Sequence, residues 1–204
     1  MTAEISYAAI AAELDLKPFV GEGGNSASDI YPAVGLVCDL FEGLQDEIIR
    51  LFEQLCGGPA DQPGSMSRII SVTLSFRNKL ELTTEAAKVF LEKEPDKRDA
   101  VLKWLKLCEK ASTIRNKIAH GRPAQVHYMQ NDQPCRGAFL VSGNYDPKAI
   151  GRATTETIPC WNLLQLQRYS SAILQLTAMI QTVREELAGT GDEPWPHVLD
   201  PAAL

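Results

Sequence analysis

Seven consecutive residues, Arg115 to Gly121, combine side chains that could act on a phosphate ester. Arg115 is a permanent cation with forked donors, and Asn116 adds a carboxamide. His120 is one of three histidines in the chain, and histidine titrates near neutral pH. Metal-free RNA cleavage needs a base for the 2′-OH, an acid for the 5′-oxygen and a cation for the phosphorane. Histidine can supply the first two, and arginine can supply the third.

Helix geometry decides which of these side chains can meet. Asn116 and His120 are four residues apart, so they share one face of a helix. Arg115 is five residues before His120, about 140° round the helix axis, so the two converge only partly within one chain. Two copies related by a twofold axis would bring two arginines and two histidines to one cleft.

A purely structural role explains the five-residue spacing of Arg115 and His120 at least as well as a catalytic role does. An arginine and a histidine five residues apart arise often by chance, and a histidine before a helix-ending glycine can cap the last carbonyls. The spacing alone therefore favours a helix end over a catalytic site.

The longer string Arg115-Asn116-x-x-Ala119-His120-Gly121 resembles the motif of the HEPN superfamily. That resemblance covers residues 30 to 188 by architecture and only Arg115 to Gly121 by motif. It implies a metal-independent endoribonuclease that acts as a homodimer in a toxin–antitoxin, phage-defence or stress context. It also implies that Arg115 and His120 are the catalytic pair, that Asn116 supports them, and that no cofactor or metal is needed.

Two points concern the regulation and the catalytic activity that the resemblance implies. Some family toxins carry a tyrosine two residues after the histidine, where a partner enzyme modifies them, and this chain has Arg122 there. The family also includes members without nuclease activity. The alternative function is therefore a non-catalytic HEPN-like module that binds a nucleotide or a protein. A third possibility is an interaction protein that uses the apolar face of the third long helix.

Basic residues concentrate around the motif. Residues 97 to 122 contain eight Lys and Arg against two acids, a local charge of +6, whereas the whole chain carries −6. This concentration predicts an anion-binding surface to which Lys117 and Arg122 contribute. Arg77, in a second Arg-Asn-Lys string that lacks a histidine, adds charge to the same cleft or simply faces solvent. RNA is the expected substrate, and an antitoxin or regulatory protein is a further expected partner.

Composition indicates an ordinary globular protein. Hydrophobic residues make up 45% of the 204 residues and charged residues 23%. The five cysteines are widely spaced, and Cys38, Cys56 and Cys108 fall in apolar helical patterns, which predicts buried free thiols in a reducing compartment. No leader and no apolar run of membrane-spanning length is visible, so we expect a cytoplasmic protein without membrane association.

Apolar residues at three-four spacing predict four long helices. Their expected ranges are about 29–56, 65–91, 96–120 and 159–187. Two short β-prone runs around the turn-rich segment 130–134 predict a β-hairpin before the last helix. The predicted fold is all-α, an antiparallel up-and-down four-helix bundle with a small hairpin insertion. Residues 1–29 are an N-terminal extension, 30–188 the helical domain and 189–204 a C-terminal tail.

The third predicted helix has an unusually wide apolar sector. Its apolar side chains cover two adjoining faces, which predicts contact with more than one neighbour. That neighbour set could include the partner in a dimer.

Overall fold

The computed structural model describes residues 6–15, 22–56, 69–70, 72–130, 132–142 and 160–189. The described chain is mainly helical, with a small antiparallel sheet of three strands, so the mainly-α prediction is confirmed. The helices are α1 (Tyr7–Glu13), a 3-10 turn (Ala27–Asp29), α2 (Ile30–Leu55), α3 (Phe76–Phe90), α4 (Pro95–Ala119) and α5 (Leu163–Leu187). The strands are β1 (Arg122–Gln130), β2 (Gln133–Val141) and β3 (Cys160–Trp161).

Helix α2 is the element that every other long helix contacts. The Ser26 side chain accepts a hydrogen bond from the Ser28 amide and starts the 3-10 turn that leads into α2. The apolar stripe predicted for this helix runs at three-four spacing from Val34, which is half-buried, and its other members are buried: Val37, Phe41, Leu44, Ile48, Leu51 and Leu55. Burial of six large side chains at this spacing makes α2 the centre of the main hydrophobic core.

The second predicted helix, 65–91, is wrong as one continuous helix, and residues 65–68 lie outside the described part of the chain. Residues 69–70 and 72–73 are helical, but the helix stops at Leu74 and α3 starts anew after Ser75. The Ser75 side chain accepts a hydrogen bond from the Asn78 amide, which is the geometry of an N-cap. The three-four apolar spacing of the predicted helix places Ile69 and Phe90 on its inward face, but both are more than half exposed.

Helices α2 and α3 run in the same direction. Phe76 packs on Phe41 with ring centroids 4.7 Å apart, and the Lys79 ammonium donates to the Gln45 side chain at 3.2 Å. The contact at Gln45 and Lys79 lies one turn further along both helices than the contact at Phe41 and Phe76, so α2 and α3 are parallel where they meet. The short connection from Leu91 to Glu94 makes α3 and α4 antiparallel. The strict up-and-down order predicted from the sequence is therefore wrong at α2 and α3, because α3 begins beside the middle of α2.

Helix α4 contacts four other helices among the described residues, one of them α1, whose Tyr7 ring lies 5.3 Å from that of Trp104. It packs against α2, α3 and α5, which accounts for its wide apolar sector without a second copy. The Tyr169 hydroxyl on α5 donates a 2.5 Å hydrogen bond to the Ala111 carbonyl of α4. Burial raises the pKa of Tyr169, although nearby Arg115 lowers it in part, so the phenol stays a neutral donor.

The predicted hairpin is present, and it is longer than predicted. Strands β1 and β2 pair from Arg122–Val141 to Gln130–Gln133, and Asp132 takes the left-handed conformation (φ 60°) of a tight turn. Strand β3 pairs with the other edge of β2 at Leu140 and Val141.

The N-terminal segment packs against both the sheet and the helices. Gly24 exchanges two backbone hydrogen bonds with Ala138. Gly23 lies so close to Gly137 that a Cβ added to Gly23 would be 2.6 Å from the Gly137 Cα atom. Ile10 and Leu14 are fully buried in the main core. The described part of the predicted N-terminal extension, 1–29, therefore shares the core of the helical domain. Of the predicted tail, 189–204, only Gly189 lies within the described residues.

Buried charge is paired between α2 and α5. The Arg184 guanidinium lies 3.2 Å from the Glu47 carboxylate, and both side chains are only 9% exposed. Glu47 also accepts a 2.7 Å contact from Arg50. This arrangement satisfies a carboxylate that would otherwise be costly to bury.

Two further expectations concern cysteines and membranes. Cys108 is fully buried as predicted, but Cys56 is exposed because α2 ends at Leu55 and Cys56 follows in a turn. Among the described residues, no helix combines the length and apolar character needed to cross a bilayer.

Substitution of Gly121 and of Gly43 gives a matched test of how closely Leu140 packs on the end of α4. A Cβ on Gly121 would lie 2.8 Å from Leu140 Cγ and 3.1 Å from the Ile118 carbonyl oxygen, whereas Gly43, within α2, has open space around it. We expect Gly121→Ala to lower the free energy of unfolding by about 1–3 kcal/mol through overpacking. Gly43→Ala should raise it by about 0.5–1 kcal/mol, since alanine is the better helix former. Urea unfolding measures both, and equal effects of the two variants would contradict this account of Gly121.

Candidate functional site

Arg115 lies near the C-terminal end of α4 and is held against α2. Its guanidinium carbon is 5.4 Å from the centroid of the Phe41 ring, within cation–π range. One terminal nitrogen is 3.2 Å from the Glu42 carboxylate, and the other donates to the Asn116 side-chain oxygen at 3.3 Å. The Nε donor is buried and has no acceptor among the described residues. Arg115 is therefore oriented by three neighbours and retains an unused donor.

Asn116 connects Arg115 to the outer surface. Because its side-chain oxygen accepts from Arg115, its amide nitrogen remains available on the exposed side of α4. Asn116 therefore contacts Arg115, one of the two residues that it is predicted to support.

His120 sits directly after the last turn of α4. Its backbone amide donates to the Asn116 carbonyl at 3.1 Å, and its side chain is exposed. Within the described part of the chain, the imidazole makes no hydrogen bond or ion pair, so both ring nitrogens can meet a ligand. Arg115 faces α2 while His120 faces solvent past the helix end, so this single chain leaves the two predicted catalytic side chains apart.

The sheet determines how the motif ends. Gly121 donates its amide to the Ile118 carbonyl at 2.9 Å and lies under the Leu140 side chain of β2. A glycine is required here by the close approach of Leu140. Strand β1 then begins at Arg122, so the α4–β1 junction fixes where His120 emerges.

The predicted substrate-binding residues separate into two groups. Lys117 and Arg122 are exposed beside His120 in the sequence, and neither forms an ion pair with another described residue. Arg77 is exposed on α3, but its guanidinium is 2.9 Å from Glu81. Arg77 is therefore partly neutralised, and the alternative of a solvent-facing helix position describes it better.

A groove of about 820 Å³ runs between α3 and α4. Asn116 and Arg77 line it, whereas Arg115 and His120 do not. Its charged lining is balanced, with three bases (Arg77, Lys88, Lys106) and three acids (Glu81, Glu85, Glu109). A groove without net positive charge is a poor path for a phosphate backbone.

Sequence reasoning missed Phe41 and Glu42. Phe41 belonged to the predicted apolar stripe, and its role as a platform for Arg115 has no local signal. Glu42 is 73 residues from Arg115 in the chain, and its pairing depends on how α2 and α4 pack.

No group of three or more His, Cys, Asp or Glu side chains within the described ranges is arranged to hold a metal ion. The chain matches no protein-family model, no curated protein and no solved structure. The HEPN resemblance therefore rests on the motif residues and on their position at the end of a long helix.

Substitution of Arg115 should show how strongly the site contributes to stability. Glu42 is 61% exposed, so the ion pair contributes little, and stacking on Phe41 adds a similar amount. We expect Arg115→Ala to lower the free energy of unfolding by about 1 kcal/mol and to leave the protein folded. Arg168→Ala, at an exposed position on α5, should change it by less than about 0.5 kcal/mol. A loss of several kcal/mol for Arg115→Ala would mean that Arg115 is mainly a structural residue.

Proposed function

We propose that this protein is a metal-independent endoribonuclease of the HEPN type, with RNA as substrate and two copies of the chain forming the site. His120 exchanges protons with the 2′-OH and the 5′-oxygen, Arg115 stabilises the negative charge of the transition state, and Asn116 orients Arg115. The products are a 2′,3′-cyclic phosphate and a 5′-hydroxyl. The helical body is proposed to be a HEPN-type bundle in which α2 and α3 share a direction.

The observation that carries the proposal is the contrast between Arg115 and His120. A catalytic cation works best when it is preorganised, and Arg115 is held by Phe41, Glu42 and Asn116. A general acid–base must reach the substrate, and the His120 imidazole is exposed without a partner among the described residues. Both conditions occur within six residues of one helix end.

Two copies are part of the proposal because one copy does not bring the pair together. Arg115 contacts α2, whereas the His120 side chain is exposed beyond the end of α4. A twofold axis near the end of α4 would place the histidine of one copy near the arginine of the other.

The second candidate function is a non-catalytic module that binds a nucleotide or a protein. The Arg115–Glu42 ion pair favours it, since an arginine already paired to a carboxylate can serve simply to join α2 and α4. An antitoxin or regulatory protein is a partner compatible with either function.

RNA cleavage in EDTA tests the catalytic assignment. We expect the purified protein to cleave mixed RNA in EDTA and to leave cyclic phosphate ends. His120→Ala and Arg115→Ala should each reduce the rate by about 100-fold or more, since loss of a general acid–base or of a charge-stabilising donor has effects of this size. Gel analysis of labelled RNA and sedimentation of the same samples measure cleavage and oligomeric state together.

The matched controls are His197→Ala, in the C-terminal tail, and Arg168→Ala on α5. Both should cleave at the wild-type rate. Cleavage that survives His120→Ala and Arg115→Ala would reject the assigned roles, and nucleotide binding by calorimetry without any cleavage would favour the binding module.

Glu42 should compete with the substrate phosphate for Arg115. Glu42→Gln removes the carboxylate charge and keeps a similar shape, so we expect RNA to bind about three- to fivefold more tightly, equivalent to about 1 kcal/mol of ion pairing. Glu85→Gln, which disrupts an exposed Lys88 pair, is the control and should leave affinity unchanged. Weaker RNA binding by Glu42→Gln would indicate instead that Glu42 is needed to hold Arg115.

A further inference from the structure

The tip of the β1–β2 hairpin presents one exposed face that the proposed catalytic residues do not use. This hairpin-tip face consists of Gln125, His127 and Met129 on β1 with Pro134 and Arg136 on β2. His127 lies directly opposite Arg136, and Met129 lies opposite Pro134. Opposed residues in an antiparallel pair have Cβ atoms about 4.5–5.5 Å apart, so these side chains form a continuous surface.

The burial of the hairpin changes along its length. Gly137, Ala138, Phe139 and Leu140 of β2 are buried, whereas Gln133, Pro134 and Arg136 near the turn are exposed. Met129 is 62% exposed. On the opposite face, Tyr128 packs edge-on against Phe139 and its hydroxyl accepts a hydrogen bond from the Gly23 amide. The face that carries His127, Met129, Pro134 and Arg136 is therefore the more open of the two.

The open face carries hydrogen-bond donors and no acidic side chain. Strands β1 and β2 contain no Asp or Glu, although the chain has 26 acidic residues, and Asp132 in the turn is the one acid between Arg122 and Val141. Arg136 and His127 make no ion pair with any described residue, so their donors are available to phosphate oxygens or base edges. Met129 and Pro134 add an apolar platform beside these donors, on which a base can pack.

We propose that the hairpin-tip face binds single-stranded RNA and holds the strand outside the Arg115–His120 site. This inference rests on the proposed function, because the hairpin-tip face would supply a contact with the RNA substrate that the α3–α4 groove, which has no net charge, does not supply. A chain of net charge −6 repels RNA overall, whereas an acid-free strand pair with an exposed arginine is a surface that a single strand can approach.

Fluorescence anisotropy with labelled 2′-O-methyl oligouridine of 20 nucleotides tests the inference on the full chain. The 2′-O-methyl groups prevent cleavage by 2′-OH attack. Arg136→Glu should raise the Kd about tenfold or more at low salt, and Arg136→Ala should reduce the slope of log Kd against log salt by about 0.7, the contribution of one single-strand phosphate contact. Met129→Ala should raise the Kd by a smaller factor through lost packing against a base.

The control is Arg168→Glu, which makes the same charge change on α5. It should raise the Kd by less than about threefold, since it alters only the long-range field. If Arg168→Glu and Arg136→Glu weaken binding equally, the effect is one of net charge and the proposal is overturned. Thermal unfolding checks that each variant is folded, and Arg136→Gln replaces Arg136→Glu if charge reversal destabilises the hairpin.

Two further outcomes separate this proposal from others. If Arg136→Glu and Met129→Glu shift the sedimentation coefficient but not RNA affinity, the face is a protein interface and the RNA proposal fails. Cleavage of the dinucleotide UpA, which is too short to span both surfaces, should be lost in His120→Ala and kept in the control Arg168→Glu. Absence of cleavage by the wild-type protein would refute the proposed function, while the anisotropy result would still decide the role of the hairpin.

Discussion

Packing around α2 is the constraint on which the rest of this structure depends. The three other long helices all contact it, and its fully or nearly fully buried stripe leaves little freedom in where they lie. Phe41 shows the consequence most directly. Its ring contacts Phe76 at the start of α3 and the guanidinium of Arg115 near the end of α4. One core side chain thus aligns two helices and supplies the platform for the candidate site.

The two chemically active residues of the motif differ because they meet different parts of the fold. Arg115 points toward α2 and is fixed by packing, pairing and a hydrogen bond. His120 lies past the last helical turn, where the chain turns into β1 under the constraint of Leu140 on Gly121. A preorganised cation and an accessible titratable group suit phosphate chemistry, and their separation within one chain makes a second copy part of the proposed mechanism.

The three-four spacing of apolar residues predicted the long helices correctly wherever that spacing continued without a break. The apolar repeats of α2, α4 and α5 place their buried faces almost residue by residue, because a long amphipathic helix must bury its stripe. The failures occur where local pattern carries little information. Ser75 reads as an ordinary polar position in a helix, yet it caps α3. The direction of α3 relative to α2 depends on how Phe76 and Lys79 pack, which connection length does not specify.

The sequence by itself determined the residue types of the motif, the helix that ends there and the hairpin that follows. These features are local, since they depend on side chains a few positions apart and on turn residues. Only the tertiary structure decided that Glu42 and Phe41 hold Arg115, that Leu140 requires Gly121, and that the α3–α4 groove is electrically balanced. Each of these contacts joins different secondary-structure elements, most of them far apart in the chain. Their partners are chosen by the packing of whole helices and strands, which no local propensity encodes.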